Sequence, residues 1–231
     1  MDRLQVLKKS LFFASLPEGI QREIGTLFSE ESYERDDYVF FEGDKPEWFH
    51  MVKEGRIKLV KHSDTGKDVI LQVFAPGDMF GEVSLFDHKP YAASAQAMEP
   101  STVMKLARKD FLLFFGRHPF IATVMIMELG RQLREAHATI KSLAVDRVEQ
   151  RIASILLKLA QKMGAPQKEG TMLNLSLTRQ DLADMAGTTV ETTIRVMSRF
   201  TKTKLIKQTG GKTLLLDSQA LQRIAEGKEN T

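Results

Sequence analysis

Two charged side chains stand one helical turn apart in the C-terminal third of the chain. They are Glu191 and Arg195, on a helix predicted to start within residues 188–191 and to run to about Thr201. In the major groove of DNA, an arginine can bond both acceptors of guanine, and a glutamate can accept from the amino group of cytosine. An alternative stays open, because Thr188 and Glu191 also have capping-box spacing, in which the glutamate would only cap the helix.

Hydroxyl and guanidinium groups are concentrated at the start of this helix and of the helix before it. Helix starts present free backbone N–H groups and the positive end of the helix dipole, and both favour phosphate. Such contacts position a protein on nucleic acid without reading the base sequence. The candidate phosphate-binding residues are Thr178, Arg179, Thr188, Thr189 and Arg199.

Two short helices joined by a tight turn must position these side chains. The first helix is predicted over 179–186, with Thr178 as its N-cap and Gly187 at the turn. Residues 205–216 indicate a β-hairpin with a Gly-Gly turn, and residues 178–212 hold seven Lys and Arg against three Asp and Glu. An ordinary helical hairpin is the alternative, but these additions favour a winged helix-turn-helix. The positions predicted to be buried are Leu182, Ala183, Ala186, Gly187 and Val196.

A heptad pattern precedes this region. Its apolar positions follow one another at intervals of 3, 4, 3, 4 and 3 residues, which is typical of a helix that packs on a partner helix. We expect a homodimer formed through this helix, and the alternative is a core helix packed within one chain. The predicted dimer seam consists of Ile126, Leu129, Leu133, Ala136, Ile140 and Leu143.

Short apolar runs separated by glycines extend from about Tyr33 to Leu106. The runs are 38–41, 57–60, 69–74 and 102–106, and they are rich in β-branched and aromatic residues. This pattern predicts an all-β sandwich or barrel. Residues 7–28 are more helical in pattern and are expected to pack against it, whereas residues 164–170 are predicted to be a loop.

Composition excludes several classes of protein. The 231 residues are 42% hydrophobic and 27% charged, with a mean hydropathy of −0.22, which indicates one large or two modest globular domains. The absence of cysteine excludes disulfides, thiolate catalysis, Cys-ligated zinc and Cys-bound iron–sulfur clusters. No apolar run approaches the ~20 residues that a bilayer needs, and no apolar signal core follows Asp2 and Arg3. We therefore expect a cytoplasmic protein with no membrane partner.

Charge is distributed unevenly along the chain. Residues 1–143 contain 19 Lys and Arg against 21 Asp and Glu, whereas residues 144–231 contain 14 against 9. The basic excess in the second part favours a polyanionic partner, although solubility alone could explain it. No P-loop, His-Glu-x-x-His zinc pattern or nucleotide-binding glycine fingerprint occurs, so the chain is not expected to be an enzyme.

Two segments carry a family resemblance. Residues 177–200 resemble the DNA-binding helix-turn-helix of the CRP/FNR family of bacterial transcription regulators, and residues 76–86 resemble its cyclic-nucleotide-binding β-roll. The resemblance implies an α+β fold with an N-terminal antiparallel β-roll of jelly-roll type (1–109), a long dimerisation helix (110–144) and a C-terminal winged helix-turn-helix (145–231). It also implies a homodimer on a palindromic site in double-stranded promoter DNA, with RNA polymerase as a further partner. The implied base-reading residues are Glu191, Arg195, Val190 and Thr192.

The same resemblance bears on the small-molecule effector. Cyclic-nucleotide-binding relatives follow Phe-Gly-Glu with Pro-Arg-Ala-Ala, and that arginine pairs with the cyclic phosphate; here Tyr91 stands in its place. A phenol cannot replace a charge-assisted phosphate contact, which argues against binding of cAMP in the usual way. The effector is therefore unidentified, and its expected pocket comprises Gly81, Glu82, Val83, Ser84, Tyr91, Ala92 and Glu135.

Three alternatives for control stay open. The iron–sulfur cofactor of the oxygen-sensing branch is excluded, because the chain has no cysteine. Haem stays a weak alternative, because histidine can ligate haem iron, and the candidates are His50, His62, His88, His118 and His137. A member without an effector is the second alternative. A regulatory ligand-binding module for an enzyme or channel is the third, and it would not bind duplex DNA.

Overall fold

The computed structural model describes residues 2–63 and 66–228. These residues divide into two compact units, one formed by residues 2–63 and 71–134 and the other by residues 66–70 and 135–228. The predicted α+β fold is confirmed: antiparallel sheets come first, a long helix follows, and a helix-turn-helix with a small sheet comes last.

The first unit contains two helices and the roll of strands, except residues 68–70 at the start of the fifth strand, which belong to the second unit. Helices α1 (Arg3–Lys9) and α2 (Glu18–Leu27) precede the first strands. The strands are β1 (Ser29–Tyr33), β2 (Tyr38–Phe40), β3 (Trp48–Glu54), β4 (Ile57–His62), β5 (Asp68–Phe74) and β6 (Met79–Phe80), and then, after helix α3 (Val83–Asp87), β7 (Ser94–Ala97) and β8 (Ser101–Ala107). In the described residues they form two four-stranded sheets with the orders β1-β8-β3-β6 and β2-β7-β4-β5. The pairs β1·β8, β3·β8, β2·β7 and β4·β7 are antiparallel.

Two apolar clusters stabilise this unit, and strand β3 contributes to both. Alternate residues of β3 point to opposite faces of its sheet and therefore join different clusters. Phe49 and Met51 join the cluster that includes Phe13 and Phe111, where the N-terminal helices cover the sheet as expected. Val52 joins the cluster inside the roll, with Phe40, Phe74, Phe80, Tyr91 and Val103. Aromatic residues thus make up half of the ten buried residues described for this cluster.

Two helices follow the roll. Helix α4 (Arg108–Arg117) packs with Phe111 and Phe114 buried, and α5 (Phe120–Val145) continues for 26 residues. No single helix in the described ranges is long and apolar enough to cross a membrane; α4 and α5 pass that test of length and composition only as a pair, bent by 114°.

The second unit contains the helix-turn-helix. Its elements after α5 are α6 (Val148–Met163), β9 (Gly164–Gln167), β10 (Gly170–Leu173), α7 (Arg179–Ala186), α8 (Val190–Lys202), β11 (Ile206–Thr209), β12 (Lys212–Leu215) and α9 (Ser218–Ala225). Its sheet has the order β11-β12-β10-β9, and Gly210 and Gly211 turn the predicted hairpin with positive φ angles of 56° and 76°.

The prediction of a loop over residues 164–170 is wrong. These residues form β9 and the start of β10, which pair antiparallel, and β10 adds this hairpin to the wing strand β12. The glycine and proline residues of this segment led to the wrong prediction, but both residue types are accommodated in the strands. Pro166 lies in β9, an edge strand that tolerates proline, and a Cβ on Gly170 would collide with the carbonyl oxygen of Leu215.

Candidate DNA interface and effector pocket

Local capping interactions, which can be predicted from the sequence, define the helix ends in the helix-turn-helix. The Thr178 hydroxyl accepts from the Asp181 backbone N–H at 3.0 Å, and the Asp181 carboxylate accepts from the Thr178 N–H, which completes the capping box of α7. At the other end, Gly187 takes a left-handed conformation with φ 58°, and the Thr188 N–H donates to the Ala183 carbonyl at 3.0 Å. Leu182, Ala183 and Ala186 are fully buried, as predicted, whereas Gly187 is exposed.

Helix α8 begins one residue later than a cap at Thr188 would require. Its N-cap is Thr189, whose hydroxyl accepts from the Thr192 N–H at 3.2 Å. The alternative capping box between Thr188 and Glu191 is therefore not formed. Glu191 is exposed, and hydrogen bonds from its own backbone N–H and from the Thr189 hydroxyl lower the pKa of its carboxyl group. It stands as an anion at the start of the helix.

Arg195 is exposed one turn after Glu191, and its position is set by a neighbour. Its guanidinium donates to the Thr192 hydroxyl at 3.1 Å, and the Thr189 hydroxyl contacts the same oxygen at 3.1 Å. Val190 and Thr192 are half-buried at the start of α8. The first two turns of α8 thus present an acid and a tethered arginine, while Thr193, Val196, Met197 and Phe200 form its buried face.

The five candidate phosphate-binding residues have different surroundings. Thr178 and Thr189 use their hydroxyls as caps, and the backbone N–H of Thr188 is occupied in the turn. Partial burial lowers the pKa of Arg179, which is the first residue of α7. Arg199 forms an ion pair with Glu149 of α6. A phosphate would therefore compete with Glu149 for Arg199.

Arg151 ties the start of α6 to the helix-turn-helix. Its Nε donates to the Ala186 carbonyl at the end of α7, and its Nη1 donates to the Asp146 carbonyl between α5 and α6, both at 2.8 Å. Leu143 packs on the same turn, because a Cβ on Gly187 would lie 2.9 Å from the Leu143 Cδ2 atom. The segment between α5 and α6 is thus joined to the turn by one guanidinium and one leucine.

The predicted dimer seam lies on the exposed side of α5. Ile126 is 69% exposed, Leu133 is 57% exposed and Ile140 is 64% exposed. Leu129, Ala136 and Leu143 are also exposed. An apolar stripe that one chain leaves in water is typical of a surface that a partner covers.

The roll turns three of the expected effector residues inward. Tyr91 is only 5% exposed, its ring stacks on Phe40 with centroids 3.7 Å apart, and its hydroxyl donates to the Trp48 carbonyl at 3.0 Å. Gly81 has a φ of 74°, and a Cβ there would lie 3.0 Å from the Tyr91 ring. Burial raises the pKa of Tyr91 to about 12, so the phenol keeps its proton. The hydroxyl and the ring of Tyr91 thus both have partners within the same chain.

Glu82 is the third of these inward residues. It is buried, and burial raises the pKa of its carboxyl group above the ordinary value. Its partner is Gln132 of α5, whose amide nitrogen lies 3.4 Å from Glu82 Oε1 and 3.2 Å from Glu128 Oε1. Glu128 also pairs with Arg131. A polar chain thus runs from the effector segment of the roll to α5.

The other expected effector positions do not join this group. Val83 is half-exposed in α3, Ala92 is exposed with its carbonyl bonded to Lys61, and Glu135 is exposed on α5. Ser84 is half-buried in α3. The structure therefore brings together Gly81, Glu82 and Tyr91 but leaves Val83 and Ala92 at the surface.

The five histidines are scattered. His50 is buried in the roll, His62 contacts the Tyr38 hydroxyl, His88 contacts Arg108, and His118 packs on Phe114. His137 is exposed on α5. Within residues 2–63 and 66–228, no three His, Asp or Glu side chains gather as a metal site.

Comparison with known proteins agrees with this architecture. The model of the cyclic nucleotide-binding domain matches residues 30–118, and that of the Crp-like helix-turn-helix domain matches residues 150–224. The chain is 29% identical over 217 residues to the cyclic AMP receptor protein of Thermus thermophilus, covering 94% of this chain and 97% of that protein. It is 28% identical over 193 residues to a CRP-like cAMP-activated global transcriptional regulator of Mycobacterium tuberculosis, covering 84% of this chain and 86% of that protein.

The chain belongs to the CRP/FNR family of transcription regulators. The structure of FixK2 from Bradyrhizobium japonicum shares its fold, with a TM-score of 0.76 at 24% identity over 85% of this chain and 96% of that one. The predictions of a DNA-binding regulator and of a protein that is not an enzyme are confirmed.

Sequence reasoning missed three residues of this CRP/FNR regulator that shape its sites. Phe40 stacks on Tyr91, Gln132 contacts Glu82, and Arg151 holds the end of α7. Each contact joins residues 35 or more positions apart. No local sequence pattern predicts such pairs. For Arg151, the one available signal was an arginine on the amphipathic helix α6, which could have been considered for a contact with a neighbouring helix.

Proposed function

We propose that this regulator binds a two-fold symmetric promoter site as a homodimer and reads base edges with the first turns of α8. The observation that carries the proposal is the exposed pair Glu191 and Arg195, with Arg195 tethered by Thr192. An arginine fixed in one direction can address both acceptors of a guanine, and Glu191 can accept from a cytosine amino group. Val190 and Thr192 are proposed to contact neighbouring base edges.

Phosphate contacts would set the register of each half of the dimer. Thr178, Arg179, Thr188, Thr189 and Arg199 lie on α7, on α8 or in the turn between them, where hydroxyls and cations can meet the DNA backbone. The exposed stripe from Ile126 to Leu143 is proposed to pair with its copy along α5. Such a dimer places two recognition helices on half-sites about one helical turn apart.

We propose that residues 1–109 form the controlling part, 110–144 the dimerisation part, with α5 as its dimer helix, and 145–231 the DNA-binding part. Tyr91 occupies the position of the phosphate-binding arginine and is already bonded to Trp48, which argues against cAMP in the usual pocket. Control by another small molecule is the first hypothesis. A member without an effector is the second, and the self-packed Tyr91 favours it. Haem stays the weakest alternative. A cytoplasmic location and contact with RNA polymerase are expected of such a regulator.

Fluorescence anisotropy with a labelled palindrome that contains TGA half-sites tests the DNA proposal. We expect salt-dependent binding to the palindrome, weaker binding to a single half-site, and a loss of roughly 5–150-fold in Arg195→Ala, from the ~1–3 kcal/mol of one bidentate base contact. The matched control is Arg223→Ala on α9, outside the helix-turn-helix. Equal affinity for a scrambled duplex, or equal losses in the two variants, would contradict specific reading by Arg195.

A further inference from the structure

Ile194 is an exposed isoleucine between the two charged residues at the start of α8. Its side chain is 46% exposed, although the residue before it, Thr193, belongs to the buried face of the helix. The exposed residues of α8 include positions 191, 194, 195 and 198, and this spacing places them on one stripe of the helix. Ile194 therefore lies one turn after Glu191 and next to Arg195, on the side of α8 proposed to face DNA.

The position of Ile194, more than its exposure, calls for an explanation. Single exposed apolar residues are common on protein surfaces. Here, however, the other members of the stripe are Glu191, Arg195 and Ser198, so the isoleucine is its one apolar residue. A β-branched residue is also a weaker helix former than alanine, glutamate or lysine. Neither burial nor helix formation therefore favours isoleucine at this position, whereas a partner with an apolar group would.

Val190 extends this apolar surface by one turn. It is the first residue of α8 and is half-buried, and it precedes Ile194 by four residues, so the two side chains are neighbours on the helix surface. On the other side of Glu191, the Arg195 guanidinium donates to the Thr192 hydroxyl at 3.1 Å. The start of α8 thus has a polar side with Thr192 and Arg195 and an apolar side with Val190 and Ile194.

The chemistry of the major groove restricts what an isoleucine can contact there. Among the four unmodified bases, only thymine carries an apolar group on its major-groove edge, the C5 methyl. If Ile194 covered a polar edge group of another base, that group would lose its bonds to water and gain none. The thymine methyl instead leaves water when it meets an apolar side chain. An isoleucine in a helix has one strongly preferred χ1 rotamer, so its surface is held in a fixed direction before contact.

We propose that Ile194, flanked by Val190, contacts the C5 methyl of a thymine in each half-site and makes that thymine a position of sequence specificity. The inference rests on the proposed function, because it requires the start of α8 to lie in the major groove. It adds a thymine to the guanine and cytosine proposed for Arg195 and Glu191. An apolar contact releases no counterions from DNA, so this contact adds specificity without adding salt dependence.

Replacement of thymine by deoxyuridine tests the contact, because it removes the methyl group and keeps every hydrogen-bonding group of the base. The full-length protein first selects a palindrome from a pool of random duplexes. Each thymine of that palindrome is then replaced in turn, symmetrically in both halves, and the Kd is measured by fluorescence anisotropy. We expect one position in each half at which the replacement raises the Kd about ten-fold to twenty-fold, from about four-fold for each buried methyl. Replacement at the thymines that α8 does not contact should leave the Kd nearly unchanged.

Two variants and one control assign the methyl contact to its residue. Ile194→Ala removes the apolar surface and suits an exposed helix position, and we expect it to lose most of the difference between thymine and deoxyuridine. Ile194→Val keeps a branched apolar side chain and should keep most of that difference. The matched control is Leu113→Ala, at an exposed apolar position of α4, which should leave the difference unchanged. The slope of log Kd against log salt concentration should be the same in the wild type and in Ile194→Ala. A difference that is as large in Ile194→Ala as in the wild type overturns the proposal.

A parallel measurement with Arg195→Ala and with a scrambled duplex separates this inference from the proposed function. Specific binding that requires Arg195 but does not respond to any deoxyuridine replacement overturns the thymine contact and leaves the DNA proposal intact. Failure to enrich any sequence from the pool, or equal affinity for the selected and the scrambled duplex, overturns the proposed function and this inference with it.

Discussion

The start of α8 and the interior of the roll are the two regions where this chain resembles its family, and they treat their polar side chains in opposite ways. Glu191 and Arg195 are exposed and bonded only to neighbours within one turn. Tyr91 and Glu82 are buried and bonded to residues far along the chain. The start of α8, where we propose that DNA binds, is therefore left available for a partner, whereas the segment expected to hold an effector is satisfied by the chain itself.

The difference has a simple chemical cause. A buried guanidinium has five donors and a fixed charge, so its burial is energetically costly unless an anion pairs with it. A phenol has one donor, and the Trp48 carbonyl satisfies it while the ring adds apolar area against Phe40. Tyr91, at the position where the family resemblance leads one to expect a phosphate-binding arginine, thus stabilises the fold without a ligand.

Removal of the Tyr91 ring should have the largest effect on this comparison. Tyr91→Ala loses the stacking on Phe40 and leaves a cavity, and we expect a loss of about 3 kcal/mol in the free energy of unfolding of the roll. Tyr91→Phe keeps the ring and should cost only about 1 kcal/mol, the value of one hydrogen bond. Urea unfolding followed by Trp48 fluorescence reports on the roll. Equal losses in the two variants would show that the hydroxyl, not the ring, stabilises this region.

The second prediction concerns the attachment of the helix-turn-helix. Arg151→Met removes both bonds to the Ala186 and Asp146 carbonyls but keeps the stem, and we expect a loss of about 2 kcal/mol in stability. DNA affinity should fall as well, because α7 is no longer tied to α6. Thermal unfolding followed by circular dichroism, together with anisotropy, measures both effects. Lys158→Met, at an exposed position of the same helix, is the matched control, and an equal response to it would remove Arg151 from this role.

Local signals explain why the helix-turn-helix was predictable. Thr178 with Asp181, Gly187, and the Gly-Gly pair at 210–211 each determine the backbone within four residues, and the structure places caps and turns at all three. The heptad pattern likewise predicted a long helix, and α5 covers it. The error over residues 164–170 arose because glycine and proline usually mark loops, whereas here a neighbouring strand recruits them into a sheet.

The roll interior was not predictable in the same way. The identity of Tyr91 indicated the loss of a phosphate contact, but its partners Phe40 and Trp48 lie 51 and 43 residues earlier in the chain. Nothing in the spacing of Glu82 predicts that it is buried, since a glutamate is usually exposed. Gln132 meets Glu82 because the first part of α5, up to Arg134, folds into one unit with the roll. Long-range packing, not residue type, decides what this segment can bind.

Glu82 gives a smaller and pH-dependent test. Burial raises the pKa of its carboxyl group in the folded state, so the ionised form is disfavoured there. Folding is therefore penalised increasingly as the pH rises from the ordinary value of 4.5 to the raised pKa, and the penalty is complete above that raised pKa. Glu82→Gln keeps an amide in contact with Gln132 and removes the charge, so we expect it to stabilise the roll by on the order of 1 kcal/mol at neutral pH. The gain should shrink as the pH falls toward the ordinary glutamate value of 4.5, where Glu82 is protonated in the fold. A gain that does not change with pH would mean that ionisation of Glu82 is not its source.

Thr192 provides the smallest effect and separates reading from positioning. Its hydroxyl accepts from Arg195 at 3.1 Å, so Thr192→Val keeps the helix cap, which uses the backbone N–H, but releases the guanidinium. We expect the affinity for the palindrome to fall about three-fold to ten-fold, as for one hydrogen bond, with no change on a scrambled duplex. Thr192→Ser should restore the affinity if the hydroxyl acts by holding Arg195. In the Arg195→Ala background, we expect Thr192→Val to cost less than in the wild type, because only the proposed base contact of Thr192 is left to lose. No further effect there would assign Thr192 to positioning Arg195 alone.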